Sequence, residues 1–207
     1  MKSFRVPAAN ASAEFVEKKS RFIGNIFKVE TAEEATEIIK RMQKQFWDAT
    51  HNVYAYVLEN GVMRFSDDGE PGGTAGMPTL DVLKKEEVYN VLCVTTRYFG
   101  GTLLGAGGLV RAYSHAAKIA LDAAGIAVMQ PFTELSVVCP YALLNVIRKQ
   151  YEHFEAQEIS AEFAADVALR IVLPTEKTDG FALQLTEVTG GKVEAMPVGE
   201  KMFAKKI

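Results

Sequence analysis

The hydrophobic and polar positions at the start of the chain predict a hairpin followed by a helix. Apolar residues flank a basic bend within residues 12–29, which is typical of two paired strands. Thr31 and Glu34 then have the spacing of a capping box, and apolar residues recur every three or four positions to about Phe46. One face of this helix is therefore predicted to be buried.

A second hairpin and a polar loop are predicted next. Residues 52–58 alternate as in a strand, Asn60-Gly61 has the composition of a tight turn, and residues 62–65 complete the hairpin. Residues 66–76 are polar and rich in glycine, so they are predicted to form a loop.

A central strand and a long helix complete the first half. The pattern predicts a short helix at residues 79–87, a strand at 88–96, and a helix that ends near Gly125. A glycine cluster at 100–108 precedes that helix and leaves its first turn without side-chain bulk. The start of the helix is thus free to approach a sheet or a ligand closely.

The second half of the chain has the order of a small ferredoxin-like domain. A boundary is predicted around residues 129–131, giving domains at 1–130 and 131–207. The predicted elements are a strand at 133–139, a helix with Leu143, Leu144, Ile147 and Tyr151 on one face, strands at 156–163 and 167–173, a helix at 175–188 and a strand at 192–197. This β-α-β-β-α-β order predicts an α+β fold, with a loose tail from Gly199.

The composition narrows the classes of function. The chain has 207 residues, of which 48% are hydrophobic and 24% charged, with a net charge of −3. That charge argues against a protein that coats nucleic acid, although it leaves room for a local basic site. No segment reaches the roughly 20 apolar residues of a membrane span, so we expect a cytoplasmic protein. Cys93 and Cys139 lie in apolar runs and are interpreted as buried thiols rather than a disulfide.

The acidic loop is the densest polar cluster of the sequence. Asp67, Asp68 and Glu70 are oxygen ligands of the kind that Mg²⁺ prefers. Carboxylates in such loops also cap turns and following helices, and the spacing of a calcium loop is absent. The sequence leaves open whether a metal binds here.

The glycine cluster is a candidate anion site. A strand, a glycine loop and a helix start follow one another, and Arg97 and Arg111 flank them. Ala106 and Gly107 stand where a P-loop has its lysine and its serine or threonine, so nucleotide hydrolysis is not indicated. The alternative is that the glycines only permit a tight turn and close packing.

Histidines and aromatic residues add weaker candidates. His51, His115 and His153 have no serine or cysteine nucleophile motif beside them, so no catalytic residue is predicted, and surface or capping roles are favoured. Tyr98 and Phe99 follow Arg97 and could stack on bases, whereas core packing is the usual role of aromatic residues in strands.

Six segments of the first half together resemble the bacterial IMPACT (YigZ-like) family. The segments are KKSRFIG at 18–24, HNVYAY at 51–56, SDDGEP at 66–71, GTAG at 73–76, TRYFGG at 96–101 and LGAGGLVRAY at 104–113. The resemblance implies a ribosomal protein S5 domain 2-like fold with helices on one face of a sheet. It also implies a second domain like domain V of elongation factor G. Eukaryotic IMPACT proteins bind a regulator of the amino-acid-starvation kinase, which implies a role in translation.

We therefore expect a translation-associated binding protein without a cofactor, whose partner is RNA, the ribosome or a translation factor. The expected binding residues are Arg97, Tyr98, Phe99, Gly100, Gly101, Gly105, Gly107, Gly108, Arg111, Asp67, Asp68, Glu70, Thr74 and His51. Two alternatives remain open. One is a phosphate-handling enzyme on a galactokinase–mevalonate-kinase-like fold, and the other is a protein–protein adaptor.

Overall fold

The computed structural model describes residues 2–206. Residue 1 of the first predicted domain and residue 207 of the second lie outside the described part. The chain divides into two compact units, which we call the N-terminal unit (Phe4–Val128) and the C-terminal unit (Met129–Phe203). Both combine helices with an antiparallel sheet, which confirms the predicted α+β class.

The N-terminal unit is built on a five-stranded sheet. The strands of this unit are β1 (Phe4–Pro7), β2 (Ala11–Glu17), β3 (Ser20–Lys28), β4 (His51–Val57), β5 (Met63–Ser66) and β6 (Val91–Tyr98), and the sheet consists of β2 to β6. The sheet has the order β2-β3-β6-β4-β5, with antiparallel neighbours. Both predicted hairpins are confirmed. The strand β1 was not predicted, and β6 extends through Arg97 and Tyr98, which the sequence analysis placed after the strand.

Three helices cover this sheet: α1 (Ala32–Gln45), α2 (Gly76–Lys85) and α3 (Ala106–Ala124). The capping box is confirmed, because Thr31 Oγ1 accepts a hydrogen bond from the Glu34 N–H at 3.1 Å. Gly105 and Gly125 bound α3 at its two ends. The helix predicted at 79–87 starts three residues earlier, at Gly76.

The helices lie on both faces of the sheet, so the expectation of one covered face was wrong. Leu92 and Val94 of β6 share a core cluster with Ala35 and other α1 residues. Their neighbours Val91 and Cys93 share a different cluster with residues of α2 and α3. Because β6 is apolar at every position from 91 to 94, both of its faces require cover.

The C-terminal unit has the predicted order, with one helix divided. Its elements are β7 (Ile126–Cys139, which begins in the N-terminal unit), α4 (Tyr141–Arg148), α5 (Tyr151–Phe154), β8 (Gln157–Phe163), β9 (Val167–Pro174), α6 (Thr178–Thr189) and β10 (Ala195–Lys206). β7 pairs with β9 and β9 with β8, both antiparallel, and β10 pairs with β7. The expectation of a loose tail from Gly199 was wrong, because β10 continues through it and the Phe203 ring packs against Phe132 at 5.2 Å.

Both cysteines are buried free thiols, as predicted. Burial raises the pKa of the Cys93 thiol to about 12 and also raises that of Cys139, so neither is an effective nucleophile near neutral pH. Within residues 2–206, no helix is both long and apolar enough to cross a membrane.

Candidate functional site

Three neighbouring strands place Phe22, Arg97 and His51 side by side. In the sheet register, Arg97 of β6 lies opposite Phe22 of β3 on one side and opposite His51 of β4 on the other. Since directly opposite residues point to the same face of a sheet, the three side chains form a row. They share the face that α3 covers, because Phe22 packs in a cluster with Leu109 and Tyr113.

Glu70 reaches this row from the acidic loop and forms a buried ion pair with Arg97. Glu70 Oε1 accepts hydrogen bonds from Arg97 Nη1 at 2.6 Å and from the Tyr113 hydroxyl at 2.7 Å. The side chains of Glu70 and Arg97 are only 3% and 6% exposed. Burial, reinforced by the bond to Glu70, raises the pKa of Tyr113, so its hydroxyl remains a donor.

The orientation of His51 follows from its contact with the loop backbone. Its Nδ1 lies 2.7 Å from the carbonyl oxygen of Asp68, and a carbonyl only accepts, so Nδ1 carries a proton. Its Nε2 lies 3.8 Å from Glu70 Oε1. In the neutral imidazole, Nε2 therefore presents a lone pair.

Two polar atoms of this network have no partner. Every side-chain hydrogen bond and ion pair of Glu70 involves Oε1, so among residues 2–206 nothing bonds Oε2. The buried Arg97 Nε also has no hydrogen-bond partner in the described part. Buried polar atoms are almost always satisfied in folded proteins, so the unpartnered Arg97 Nε, together with the open Glu70 Oε2, marks the network as a candidate site.

A cleft of about 350 Å³ opens above the network, and we call it the His51 cleft. It is lined by Thr50, His51, Gly69, Glu70, Pro71, Arg97, Phe99, Leu103, Leu104, Gly105, Ala106 and Leu109. Its floor is polar and its walls are largely apolar, which is the usual composition of a small-molecule site.

Arg111 belongs to a different cleft. This Arg111 cleft, of about 340 Å³, is lined by Phe15, Glu17, Lys18, Leu104, Gly108, Arg111, Ala112 and His115. Leu104 lines both clefts. The structure therefore does not bring Arg97 and Arg111 into one cleft, and only Arg111 is exposed.

The acidic loop directs its carboxylates to separate partners. Asp67 accepts backbone N–H groups of Gly73, Ala75 and Gly76, whereas Asp68 accepts the N–H of Asn52 at 2.6 Å. The Asp67 contacts cap α2, which is why that helix starts at Gly76. The Thr74 hydroxyl donates to the Pro71 carbonyl at 2.6 Å and closes a turn. Within the described residues, no three histidine, cysteine or acidic side chains are grouped to hold a metal ion.

The Asp67 contacts make part of the stability depend on pH. Burial raises the pKa of Asp67, but the three N–H groups outweigh it and leave the pKa below its ordinary value of 3.8. The stabilisation is thus present above the unfolded-state pKa and is lost as the pH falls through the lower folded-state pKa. We expect Asp67→Asn to be less stable than the parent at pH 7, with the difference shrinking as the pH falls below 3.8 and through the lower folded-state pKa of Asp67. Denaturation at a series of pH values measures this, and a constant difference would contradict it.

Some glycines of the cluster at 100–108 permit tight turns and close packing, and others are exposed at the surface. A Cβ on Gly100 would lie 2.0 Å from the Lys19 carbonyl carbon, and Gly105 has a φ of +73° at the start of α3. These values support the tight-turn interpretation for both positions. A Cβ on Gly108 would meet Leu104, while Gly101 and Gly107 are exposed.

The predicted aromatic pair is divided between the two faces of the sheet. The Tyr98 hydroxyl donates to Asp48 at 3.0 Å, and strand alternation places Tyr98 on the face opposite to Arg97. Phe99 is 45% exposed in the His51 cleft, and the Arg97 guanidinium lies 5.4 Å from its ring centre. His115 and His153 lie at the surface, as predicted, so His51 is the histidine of the network.

Sequence reasoning missed two members of the network. Ser20 Oγ lies 3.4 Å from Arg97 Nη2 and accepts the Gly100 N–H at 3.1 Å, and the Tyr113 hydroxyl donates to Glu70. One signal was available for Tyr113, since a buried tyrosine hydroxyl usually requires a partner.

Comparison with known proteins matches both units. The family model of the Impact N-terminal domain matches residues 18–121, and that of a domain of unknown function (DUF1949) matches residues 137–192. The chain is 37% identical to the IMPACT family member YvyE of Bacillus subtilis, over 93% of this chain and 89% of that protein. It is 33% identical to the IMPACT family member YigZ of Escherichia coli, over 97% of this chain and 100% of that protein.

A eukaryotic relative and a solved structure extend the comparison. A protein named as an IMPACT homolog in Dictyostelium discoideum is 37% identical over 56% of this chain and 34% of its own length. A crystal structure described as that of a hypothetical protein is 33% identical, with a TM-score of 0.61, and covers 96% of this chain and 98% of its own.

Proposed function

The chain belongs to the IMPACT family, and from this premise we propose that it is a translation-associated binding protein that contacts an RNA backbone through the Arg111 cleft. The family supplies the link to translation, through its eukaryotic members. The exposed cations Lys18 and Arg111 of the N-terminal unit indicate which surface would contact the RNA.

The observation that carries this proposal is the pair of unneutralised cations in that cleft. Arg111 and Lys18 are exposed, and neither forms an ion pair within the described residues. His115 also lines the cleft, and Glu17 is the one acidic residue of the lining. Such a group of cations supports contact with phosphates.

The start of α3 adds backbone donors to this surface. Gly108, in the first turn of α3, lines the cleft, and no side chain caps the helix. Free N–H groups and the helix dipole favour a phosphate there. Arg97, by contrast, is buried and bonded to Glu70, so the proposed phosphate contacts are Lys18 and Arg111 and do not include Arg97. The net charge of −3 confines the contact to a local patch.

We expect the double variant Lys18→Ala plus Arg111→Ala to bind purified ribosomes or structured ribosomal RNA about tenfold or more weakly than the parent. Each lost phosphate contact should also lower the slope of log affinity against log salt by about 1. Filter binding or fluorescence anisotropy at several salt concentrations measures both quantities.

Lys40→Ala plus Lys44→Ala is the matched control. It removes the same charge from exposed positions of α1, which packs on the other face of the sheet. We expect this variant to bind nearly as well as the parent. Equal weakening of both variants, or full binding by the Lys18 and Arg111 variant, would refute the assignment to this cleft.

A further inference from the structure

We propose that the His51 cleft binds a free α-amino acid with an apolar side chain, whose ammonium group lies between Glu70 and His51. The proposal concerns a different cleft from the RNA contact and does not depend on it. Three properties of the cleft support it: two unpartnered acceptors, an uncapped helix start and an apolar wall.

The acceptors define one end of the ligand. Oε1 of Glu70 is occupied by Arg97 and Tyr113, which hold the carboxylate in place and leave Oε2 without a partner in residues 2–206. The bond from His51 Nδ1 to the Asp68 carbonyl leaves Nε2 as the acceptor of the neutral ring. Two fixed acceptors require a ligand with several donors, and an ammonium group has three.

The start of α3 defines the other end. Gly105 and Ala106 line the cleft, and no side chain caps this helix of 19 residues. Its first N–H groups and its dipole favour an anion, and a carboxylate is the smallest organic anion that accepts from two such groups.

The charges of the cleft match a zwitterion. Glu70 and Arg97 neutralise each other across 2.6 Å, so the floor carries no net charge when His51 is neutral. A simple anion would leave the two acceptors without a donor, and a simple cation would leave the N–H groups at the start of α3 without an acceptor. An amino acid places a group of the right sign at each end.

The apolar wall of the cleft favours a ligand with an apolar side chain. Phe99, Leu103, Leu104, Leu109 and Pro71 give this side of the cleft an apolar surface. The volume of about 350 Å³ is at the lower end for small-molecule sites, which suits one amino acid of moderate size. Leu103 is 82% exposed in this structure, so a ligand against it would bury apolar surface.

The test measures the binding of L-leucine, L-methionine and L-phenylalanine to the full chain. Calorimetry gives the affinity, and NMR gives the chemical-shift changes of the Gly105 and Ala106 amides. We expect saturable binding of at least one of the three, with shifts at both amides. The N-acetyl derivative and the amide of that amino acid should each bind at least tenfold more weakly, because each lacks one charged group.

Variants that leave the buried ion pair intact show whether the amino acid binds in the His51 cleft or elsewhere on the surface. Leu103→Asp should weaken binding at least tenfold, whereas Leu183→Asp, at an exposed position of the C-terminal unit, should have no effect. His51→Gln should weaken binding while retaining a cooperative unfolding transition. The proposal is wrong if none of the three amino acids binds, or if Leu103→Asp binds normally. It is also wrong if the amide binds as well as the free acid, since the site would then recognise peptide N-termini.

Discussion

Arg97→Ala is expected to lower the free energy of unfolding by about 3–5 kcal/mol, because it leaves the Glu70 carboxylate buried without its counter-charge. The Glu70 side chain is 3% exposed, so its carboxylate depends mainly on donors from the protein. Among residues 2–206, only the Tyr113 hydroxyl would remain hydrogen-bonded to the Glu70 carboxylate. Urea denaturation at pH 7 measures the loss, and the slope of the transition shows whether the unfolded states remain comparable.

Two further variants make this expectation specific. Arg111→Ala removes an exposed arginine from α3 and should change the free energy of unfolding by less than about 0.5 kcal/mol. Arg97→Met combined with Glu70→Leu removes both charges and should recover much of the loss, since buried ion pairs are often replaceable by apolar residues. If Arg97→Ala is no more destabilising than Arg111→Ala, the buried pair is not a structural element.

The role of Arg97 connects stability to the two binding proposals. The sequence suggested that Arg97 and Arg111 act together on a phosphate. The structure gives them different environments, with Arg97 holding Glu70 at the floor of one cleft and Arg111 exposed in another. A variant of Arg97 therefore alters the fold before it alters any ligand contact, and only the Arg111 cleft offers a clean test of RNA binding.

The sequence predicted the elements well because their signals are local. The capping box of α1 spans four residues, and Gly105 and Gly125 mark the ends of α3 in the printed sequence. The role of Asp67 was also accessible, because its partners lie only 6 to 9 residues further along the chain. Capping was accordingly one of the two interpretations that the acidic loop allowed.

The network could not be predicted because its contacts are distant in sequence. Glu70 lies 27 residues from Arg97 and 43 from Tyr113. Strand alternation indicates that Thr95 and Arg97 share a face, but it does not indicate which strands lie beside them. His51 and Phe22 become neighbours of Arg97 only through the order β3-β6-β4, and that order is a property of the whole sheet.

The covered second face has the same explanation. The apolar run at the start of β6 permits a sheet with helices on both sides, yet periodicity does not state which helix covers which side. The packing of α3 depends on close approach, which the small residues Ala116, Ala117 and Ala120 allow on the helix. On the sheet it depends on one glycine of β3.

Gly24→Ala is expected to lower the free energy of unfolding by about 2–3 kcal/mol, because a Cβ there has no room. It would lie 2.4 Å from the Ala116 carbonyl oxygen and 3.0 Å from the Ala120 Cβ, so the backbone of α3 would have to move away from β3. That movement would also shift Tyr113, which donates to Glu70 from the same helix, so the loss extends to the buried network.

Gly72→Ala is the matched control, since a Cβ there meets nothing within 4 Å. We expect no loss for it, or a gain below about 1 kcal/mol from the less flexible unfolded chain. Equal stability of the two variants in thermal and urea denaturation would show that α3 does not depend on this close contact.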